Sequence, residues 1–561
     1  MGTEPASSPS SPPHAHAGAH ASRHHVGALE PVGLPLDDIP APSPSSDFQA
    51  PVTKPERAGP SLTERTATGF AFMAAQMIVT RLLGILGNLV LAWLLVPEDF
   101  GLIGMATSVV AFAQIVQSIG VREVLIRRQS SYKHLANAGF WIAVSSGLLC
   151  AIVIAACSPL AALLFKEPRV VGLLLVLAAA IPVSNASLVP EARLQIDLRF
   201  RWVAMLNMIS AGGTVILTVV FAWLGFGAYS LVLPRLILAV VRTLLAWRIA
   251  GFTPRLSLQT RRWKYIIGDS LWVLLANLCM TVQLQADVIM LGRALAVRGK
   301  DTAAQELGLY TFASALSMQA VILLAFSLGQ ILLPALSKLQ EDPARQADAL
   351  LRALRVLAML VIPTCLLQAA VAEPAVQLVF PAKWASAIGV LQVLSLGMAL
   401  RFFGVPVAAL FQAQGRFRAY FVMLLGFMIF FLAVVTPTVF LTQSIVATAI
   451  AVAAWAAVIE PLGLYFALKP TGRGAGEVLA TFIPPLLIAA TACAAGWWCA
   501  GLVPAHPGRL THFWKILVTC AVAAPILIAG TRLFMRPSWD EAAQRLSPFL
   551  ARFRNSNPAA A

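Results

Sequence analysis

Fourteen apolar stretches, each about long enough to cross a bilayer, follow one another between Phe70 and about Thr531. Because the bilayer core offers the backbone no water, each stretch is expected to form a helix that satisfies its own hydrogen bonds. Only 12% of the residues are charged, about half the fraction found in soluble proteins. The sequence therefore predicts an all-α polytopic membrane protein with about 14 transmembrane helices. The predicted spans lie near residues 70–96, 101–120, 137–157, 170–190, 202–224, 227–247, 267–292, 309–335, 352–372, 386–413, 419–440, 443–468, 478–500 and 513–531.

The formal net charge of +16 is spread over the short connections between these spans. No nucleic-acid-binding motif accompanies the basic residues, so the charge indicates membrane orientation rather than nucleic-acid binding. With the amino terminus inside, the six connections on the cytoplasmic side hold 20 Lys and Arg residues, against fewer than half as many on the other side. We therefore expect both termini in the cytoplasm and an even number of spans.

Residues 1–68 are rich in Pro, Ala, Ser and His and contain no long apolar run. Such a segment buries too little apolar surface to offset the entropy lost on ordering. The composition therefore predicts a disordered cytoplasmic tail before the first span.

A weak internal repeat relates the second and eighth spans. The sequence D-F-G-L at 99–102 opens the second span, and E-L-G-L at 306–309 opens the eighth. Six spans repeated in the same orientation predict two parallel lobes, with the last two spans as an addition. The predicted divisions are an N-lobe at 69–250, a C-lobe at 251–470, two further helices at 471–533 and a cytoplasmic carboxy-terminal tail at 534–561.

Charged residues lie inside the predicted spans, where each costs roughly 2.5–3.5 kcal/mol. Guanidinium groups match phosphate oxygens and stay charged when partly desolvated, so four such arginines predict a cavity for a di-anionic ligand. Two alternatives remain open: the arginines pair internally, for example Arg81 with Asp287, or Arg242 extends to the cytoplasmic surface. The charged residues inside spans are Arg81, Arg235, Arg242, Arg401, Asp287 and Glu460.

Polar side chains accompany these charges. Asn88 shares a helix face with Arg81, and two glutamines precede Asp287 in the seventh span. Asp287 is either a carboxylate that couples transport to H⁺ or Na⁺, or a counter-ion for an arginine. We predict as substrate-binding residues Arg81, Arg401, Arg235, Asn88, Gln283 and Gln285, and as coupling or counter-ion residues Asp287 and Glu460.

No catalytic arrangement, metal-ligand spacing or P-loop occurs in the sequence. The seven cysteines all lie inside apolar stretches and form no CxxC pair. The sequence therefore predicts no enzyme activity, no metal site and no cofactor.

Several short motifs, over about residues 65–470, resemble a known family. The run L-L-V-P-E-D-F-G-L at 94–102 is similar to the signature that follows the first span of oligosaccharide flippases. This is the family of Wzx-like polysaccharide exporters in the multidrug/oligosaccharidyl-lipid/polysaccharide superfamily. Further matches follow in the same order at 198–200, 286–287, 291–293, 307–310 and 380–384.

The resemblance implies a V-shaped bundle of two six-helix lobes around a central cavity, gated by the first, second, seventh and eighth spans. It implies that the substrate is an oligosaccharide linked to undecaprenyl pyrophosphate, a precursor of polysaccharide or lipopolysaccharide. Alternating access would move this substrate across the bacterial inner membrane. The expected partners are the lipid-linked oligosaccharide, membrane lipids, H⁺ or Na⁺, and a polysaccharide polymerase or assembly protein.

Four other functions remain open at this point. Two of them, a peptidoglycan-precursor flippase and a multidrug antiporter, belong to the same superfamily. A cation antiporter is expected to have an acidic cavity, and here arginines outnumber acidic residues in the spans. A membrane glycosyltransferase would need room for a catalytic loop, and the external loops here are short. An assembly scaffold would bind partner proteins without moving a substrate.

Overall fold

A computed structural model describes residues 62–117, 121–127, 132–197, 199–254, 271–299, 302–339, 341–401, 403–504, 509–536 and 539–540. Within these ranges the chain is helical and contains no β-strand. The predicted all-α class is therefore confirmed. The amino-terminal segment up to residue 61 lies outside the described residues, whereas residues 62–68 of the predicted tail are part of the first helix.

The first half of the described chain contains eight α-helices. They are α1 (Leu62–Leu94), α2 (Pro97–Gln117), α3 (Val121–Arg127), α4 (Tyr132–Phe165), α5 (Arg169–Asn185), α6 (Leu188–Ile196), α7 (Phe200–Trp223) and α8 (Leu233–Ala250). A short 3₁₀ segment, Gly227–Leu231, precedes α8.

The second half contains nine α-helices in its described residues. They are α9 (Leu271–Val297), α10 (Ala303–Ser337), α11 (Pro343–Val379), α12 (Ile388–Arg401), α13 (Gly404–Ala413), α14 (Phe417–Thr442), α15 (Ile445–Leu468), α16 (Ala475–Gly501) and α17 (Leu510–Phe534). Short 3₁₀ segments lie at Ala382–Ala387 and Lys469–Thr471.

Eleven helical segments in the described residues are long and apolar enough to cross a membrane. The other three predicted spans coincide with α1, α2 and α10, so the total of 14 remains a prediction. Large apolar side chains point outward along the helices, for example Leu163, Trp223 and Leu441, which are 73%, 76% and 84% exposed. Such an apolar surface is suited to lipid rather than to water. The chain is a multi-pass membrane protein.

We call α1–α8 the first group and α9–α15 the second group, and the division into lobes remains a prediction. Helix α2 packs on α10 and α9 of the second group as well as on α4 and α5 of the first. In the first group α1 packs on α7, and α5 packs between α4 and α8. In the second group α9 packs on α14, and α12 packs against α11 and α15. Helices α16 and α17 pair with each other and rest on α11, which places the two additional helices beside the second group.

Two predicted spans, 170–190 and 386–413, are each broken into two helices. Helices α5 and α6 separate at 186–187, and α12 ends at Arg401 before α13 begins at Gly404. In both cases the second helix carries a proline at its third residue, Pro190 or Pro406. Proline has no backbone N–H and disfavours a continuous helix through the preceding turn, which accounts for both breaks. The predicted cytoplasmic connection at 191–202 begins too early, because α6 continues to Ile196.

The two copies of the internal repeat meet where α2 crosses α10. A Cβ added to Gly101 would lie 1.8 Å from the carbonyl oxygen of Ala304, and one added to Gly308 would lie 1.7 Å from that of Pro97. Only glycine permits this backbone contact. We call this end of the helices the motif end, and the opposite end, which carries the arginine-rich connections, the basic end.

Other family-like motifs from the second group also bind the first group at the motif end. Lys383 Nζ donates to the carbonyl oxygen of Leu95 (2.6 Å), and Trp384 Nε1 donates to that of Ala92 (2.8 Å). Arg293 donates to the carbonyl oxygen of Leu164 at the end of α4 (3.0 Å). These donors satisfy the free carbonyls at helix carboxyl ends, where positive charge is favourable. The motif end is therefore closed by specific contacts between the two groups.

Candidate functional site

Asp287 is buried on α9 and bonded to a tyrosine. Its Oδ2 accepts a hydrogen bond of 2.6 Å from the Tyr310 hydroxyl, and Oδ1 accepts one of 2.9 Å from the backbone N–H of Val288. Asp287 is 7% exposed and Tyr310 is fully buried. The alternative that Arg81 pairs with Asp287 is therefore not observed. Tyr310 belongs to the family-like motif at 307–310 and was not predicted as a site residue.

Arg401 ends α12 at the helix break. Its Nη2 donates to the backbone carbonyl of Gln283 (3.2 Å), and its guanidinium carbon lies 5.9 Å from the ring centroid of Trp455. In the described part of the chain no carboxylate oxygen lies within 4.0 Å of this guanidinium, although Asp287 and Glu460 are close enough to interact with it electrostatically. The carboxyl end of α12 favours a positive charge at this position. Arg401 is thus held in place while its charge is not neutralised by an ion pair.

Glu460 lies on the other side of the same break. It precedes Pro461 on α15, and a Cβ added to Gly404 would lie 3.4 Å from its Oε2. Gly404 is the first residue of α13, and the free N–H groups at a helix amino end favour a nearby carboxylate. The helix break therefore holds Arg401 and Glu460 next to helix ends of complementary polarity.

The two predicted glutamines differ in their surroundings. Gln283 is buried and its Nε2 donates to the backbone carbonyl of Leu424 on α14 (3.1 Å). Gln285 is half-buried, and its side chain bonds to no other described residue. Gln283 thus fastens α9 to α14, whereas Gln285 has free polar atoms. We call the group Gln283, Asp287, Tyr310, Arg401 and Glu460 the C-lobe cluster.

Arg81 and Asn88 lie on the face of α1 that is turned away from α7. The opposite face contacts α7, because a Cβ on Gly87 would lie 2.8 Å from the Val215 side chain. A Cβ on Gly84, beside Arg81, would meet nothing within 4 Å. Arg81 is half-buried and Asn88 is exposed, and neither bonds to a residue that the structure describes. The predicted polar stripe on α1 is therefore open.

Arg235, near the start of α8, is exposed and bonds to no described residue. Among the described residues no hydrogen bond or ion pair joins Arg81, Asn88 or Arg235 to the C-lobe cluster. The structure thus brings together the predicted residues of the second group, and it leaves those of the first group separate from them.

Arg242 differs from the other arginines because it is locked in an ion pair. Its Nε and Nη2 donate to the two carboxylate oxygens of Glu191 at 2.7 and 2.9 Å, and Nη groups also donate to Asn207 and Ser210. Glu191 is 3% exposed and accepts a further bond from Ser187 (2.9 Å). The alternative of internal pairing, rather than a cavity or a surface role, is the one observed for Arg242. Sequence reasoning missed Glu191 because it placed this residue at the start of a loop.

Helices α8 and α15 carry charges of opposite sign at corresponding positions. Arg242 and Glu460 each stand eight residues before the last residue of their helices, which are Ala250 in α8 and Leu468 in α15. Each faces a broken helix, which carries Glu191 in the first half and Arg401 in the second. The first pair is closed by direct hydrogen bonds, whereas no oxygen–nitrogen contact within 4.0 Å closes the second. In the second half the charges of Arg401 and Glu460 are therefore not joined in a direct ion pair.

The sequence profile of a family described as "Polysaccharide biosynthesis protein" matches residues 90–389, which is more than half of the 561-residue chain. The chain belongs to this family. The matched range includes Gly101, Asp287, Gly308, Tyr310 and Trp384, and it ends before Arg401.

Curated relatives support the Wzx-like resemblance. The succinoglycan biosynthesis transport protein ExoT of Rhizobium meliloti (strain 1021) is 26% identical over 309 residues, which cover 55% of this chain and 61% of ExoT. The lipopolysaccharide biosynthesis protein WzxC of Escherichia coli (strain K12) is 25% identical over 358 residues, or 64% of this chain and 71% of WzxC. The match thus spans less than two thirds of ExoT and somewhat more of WzxC.

Solved structures show the same fold. The lipid II flippase MurJ in an inward closed conformation aligns with a TM-score of 0.63 and 13% identity, over 83% of this chain and 99% of MurJ. An inward-facing multidrug resistance transporter of the MATE family and MOP superfamily aligns with a TM-score of 0.53 and 16% identity, over 74% and 99% of the two chains. The chain therefore shares the fold of these two solved structures.

Proposed function

We propose that this protein is a flippase that moves a lipid-linked oligosaccharide, carried on undecaprenyl pyrophosphate, across the bacterial inner membrane. The observation that carries the proposal is the combination of a flippase fold with membership of the polysaccharide biosynthesis family. ExoT, which is named a transport protein of succinoglycan biosynthesis, supports the same substrate class.

The free guanidinium groups are the proposed pyrophosphate ligands. Arg401 is positioned by the Gln283 carbonyl and by Trp455, yet it has no direct ion pair with a described residue. An arginine that is positioned but not ion-paired can donate two parallel hydrogen bonds to phosphate oxygens. We assign Arg81 and Arg235 the same role, and we assign to the sugar Asn88 and Gln285, whose side chains bond to no described residue.

Asp287 and Glu460 are the proposed carboxylates that respond to substrate and to cations. Both interact with Arg401 electrostatically without touching it, so binding of a pyrophosphate would compete with them for the same positive charge. A cation or proton on either carboxylate would release Arg401 for the substrate. This exchange would couple substrate binding to H⁺ or Na⁺.

Movement of the substrate requires the motif end to open. In the structure α2 and α10 touch backbone to backbone there, and Lys383 and Trp384 bind the end of α1. We assign the basic end to the cytoplasm because positively charged connections stay on that side. In this orientation the contacts at the motif end would block release of the substrate on the side away from the cytoplasm.

Purified protein in liposomes tests the proposal. Liposomes that contain fluorescent undecaprenyl-pyrophosphate-linked oligosaccharide should show substrate in the opposite leaflet only when the protein is present. A lipid II substrate and a cationic dye run in parallel separate this function from a peptidoglycan-precursor flippase and from a multidrug antiporter. Movement of either of those compounds but not of the oligosaccharide lipid would refute the proposal. Sugar transfer without movement would indicate a glycosyltransferase.

A further inference from the structure

A groove lies between α14 and α15 at the basic end. Its volume is about 820 Å³, and its wall is almost entirely apolar. Val422, Gly426 and Phe430 line it from α14, and Val458, Leu462 and Phe466 line it from α15. Five of these side chains are exposed large hydrophobic groups, so the groove faces the surroundings of the protein rather than its core.

Three basic residues, Arg416, Arg418 and Lys469, form the polar end of the groove. None of the three forms an ion pair with a residue that the structure describes. Arg416 donates one hydrogen bond to Gln414 (3.2 Å), and Arg418 lies 5.1 Å from the ring centroid of Trp272. The groove thus combines an apolar channel with an uncompensated positive end.

The length of the groove suits a lipid chain. From Arg418 to Phe430 it follows about 18 Å of α14 at 1.5 Å per residue. The hydrocarbon core of a bilayer is about 30 Å thick, so a chain that starts at the basic end would reach past its middle. Gly426 leaves a notch along this path, because a Cβ there would meet nothing within 4 Å.

We propose that this groove binds the polyprenyl chain of a polyprenyl-pyrophosphate lipid, whose pyrophosphate contacts Arg416, Arg418 and Lys469. This inference rests on the proposed function. The charge of the groove supports a pyrophosphate, because three cations that form no ion pair with a described residue complement its charge better than the single charge of a phosphodiester. A single channel between two helices also fits one chain better than the two acyl chains of a phospholipid.

The groove is one helix layer away from the C-lobe cluster. Phe427 lines the groove, and its backbone carbonyl accepts a hydrogen bond from Trp455, whose ring contacts Arg401. Ile459 also lines the groove and is followed by Glu460. A lipid carrier bound in the groove would therefore hold its head group close to the pathway on the cytoplasmic side. The groove is a capture site that precedes transfer to Arg401.

Two variants test the groove separately from the rest of the protein. Gly426→Leu adds a side chain in the notch, where its Cβ meets nothing within 4 Å, and the triple variant R416Q/R418Q/K469Q removes the charge of the polar end. Gly476→Leu is the matched control, because Gly476 is also helical and exposed, its Cβ would meet nothing within 4 Å, and it does not line the groove. Thermal unfolding of each detergent-solubilised variant shows whether it folds like the wild type.

The measurement is binding of undecaprenyl pyrophosphate and of phosphatidylglycerol to the purified full-length chain by native mass spectrometry. We expect Gly426→Leu and the triple variant to bind undecaprenyl pyrophosphate at least tenfold more weakly than wild type and Gly476→Leu. Binding of phosphatidylglycerol should be weaker and should not change by more than twofold. Unchanged polyprenyl binding in both groove variants would overturn the inference, and so would equal, groove-dependent binding of phosphatidylglycerol.

The liposome assay distinguishes failure of this inference from failure of the proposed function. If only the groove assignment is wrong, Gly426→Leu moves the oligosaccharide lipid at the wild-type rate while Arg401→Gln does not. If the proposed function is wrong, the wild-type protein moves no oligosaccharide lipid, whatever it binds in the groove.

Discussion

Arg401 is the residue whose environment most directly indicates a binding role. A buried or half-buried arginine is normally paired, as Arg242 is with Glu191. Within the described chain, Arg401 instead donates one hydrogen bond to a backbone carbonyl and lies over one aromatic ring. This difference between two arginines in related halves separates a structural charge from a charge that is available to a ligand.

Replacement of Arg401 should abolish transport without unfolding the protein. We expect Arg401→Gln to lower translocation of the oligosaccharide lipid by at least tenfold, because the amide cannot supply charge to a pyrophosphate. The assay is translocation in liposomes, with thermal unfolding as the check on folding. Arg345→Gln is the control, since Arg345 is 79% exposed and forms only a surface pair with Asp342. Transport at the wild-type rate by Arg401→Gln would remove Arg401 from the site.

Replacement of Glu191 should instead destabilise the protein. Glu191 is 3% exposed, and Glu191→Ala leaves the Arg242 guanidinium partly buried without its carboxylate. Breaking a buried pair in this way costs about 3–5 kcal/mol, so the midpoint of thermal unfolding should fall clearly. The double variant E191L/R242M should recover much of that loss, because it removes both charges together. Equal stability of the wild type and Glu191→Ala would show that the pair contributes little.

At the scale of the helix, the two breaks determine where the charges lie. Helix α12 ends at Arg401 and α13 begins at Gly404, against which Glu460 rests. Helix α5 ends at Asn185 and α6, which carries Glu191, begins at Leu188. Each break thus places a charged residue inside a membrane-length segment and close to a helix end.

Removal of the proline after the second break should disturb the site. Pro406→Ala restores a backbone N–H and relieves the restraint on the preceding turn, which favours continuation of α12 into α13. We expect transport to fall at least fivefold, because Arg401 and Glu460 lose their helix ends. Pro437→Ala is the control, since Pro437 lies inside the continuous helix α14. If both variants transport equally well, the break does not position the site.

The crossing of α2 and α10 should not tolerate a larger residue. Gly101→Ala places a Cβ only 1.8 Å from the carbonyl oxygen of Ala304. Because atoms cannot approach so closely, the two helices must separate at the motif end. We expect faster reaction of a Thr311→Cys thiol with a membrane-impermeant maleimide in this background than in the chain with Gly101. Gly476→Ala, where the Cβ meets nothing within 4 Å, is the control and should leave that rate unchanged. An unchanged rate in Gly101→Ala would show that the crossing adapts without opening.

Some residues of the candidate site could be predicted from the sequence alone, and others could not. Arg401, Asp287 and Glu460 were predicted because charge inside an apolar span is costly and therefore conspicuous. The bond between Asp287 and Tyr310 joins different helices, and its formation depends on how those helices pack, which local sequence does not determine. Glu191 lay at an uncertain span boundary. Pro190 and Pro406 could have predicted the two helix breaks, because proline disfavours a continuous helix. The long apolar runs around them instead suggested unbroken spans.

At the scale of the whole molecule, the family-like motifs gather at one end. Gly101 and Gly308 form the crossing, while Arg293, Lys383 and Trp384 hold the ends of helices in the other group. Aromatic contacts also join the two groups, since Phe100 packs edge-on against Phe312 and Trp384. Opening of the motif end would therefore require α2 to separate from α10 as the two groups move apart.

Alternating access through the motif end is the central claim, and a reversible disulfide tests it most directly. A Cβ on Gly104 would lie 3.4 Å from the Cβ of Thr311, close to the separation found in disulfides, so G104C/T311C can be joined by oxidation in the closed state. The account predicts that oxidation of this variant in liposomes stops translocation of the oligosaccharide lipid and that reduction restores it, while single Thr311→Cys is unaffected. Translocation at an undiminished rate by the fully oxidised double variant would contradict it.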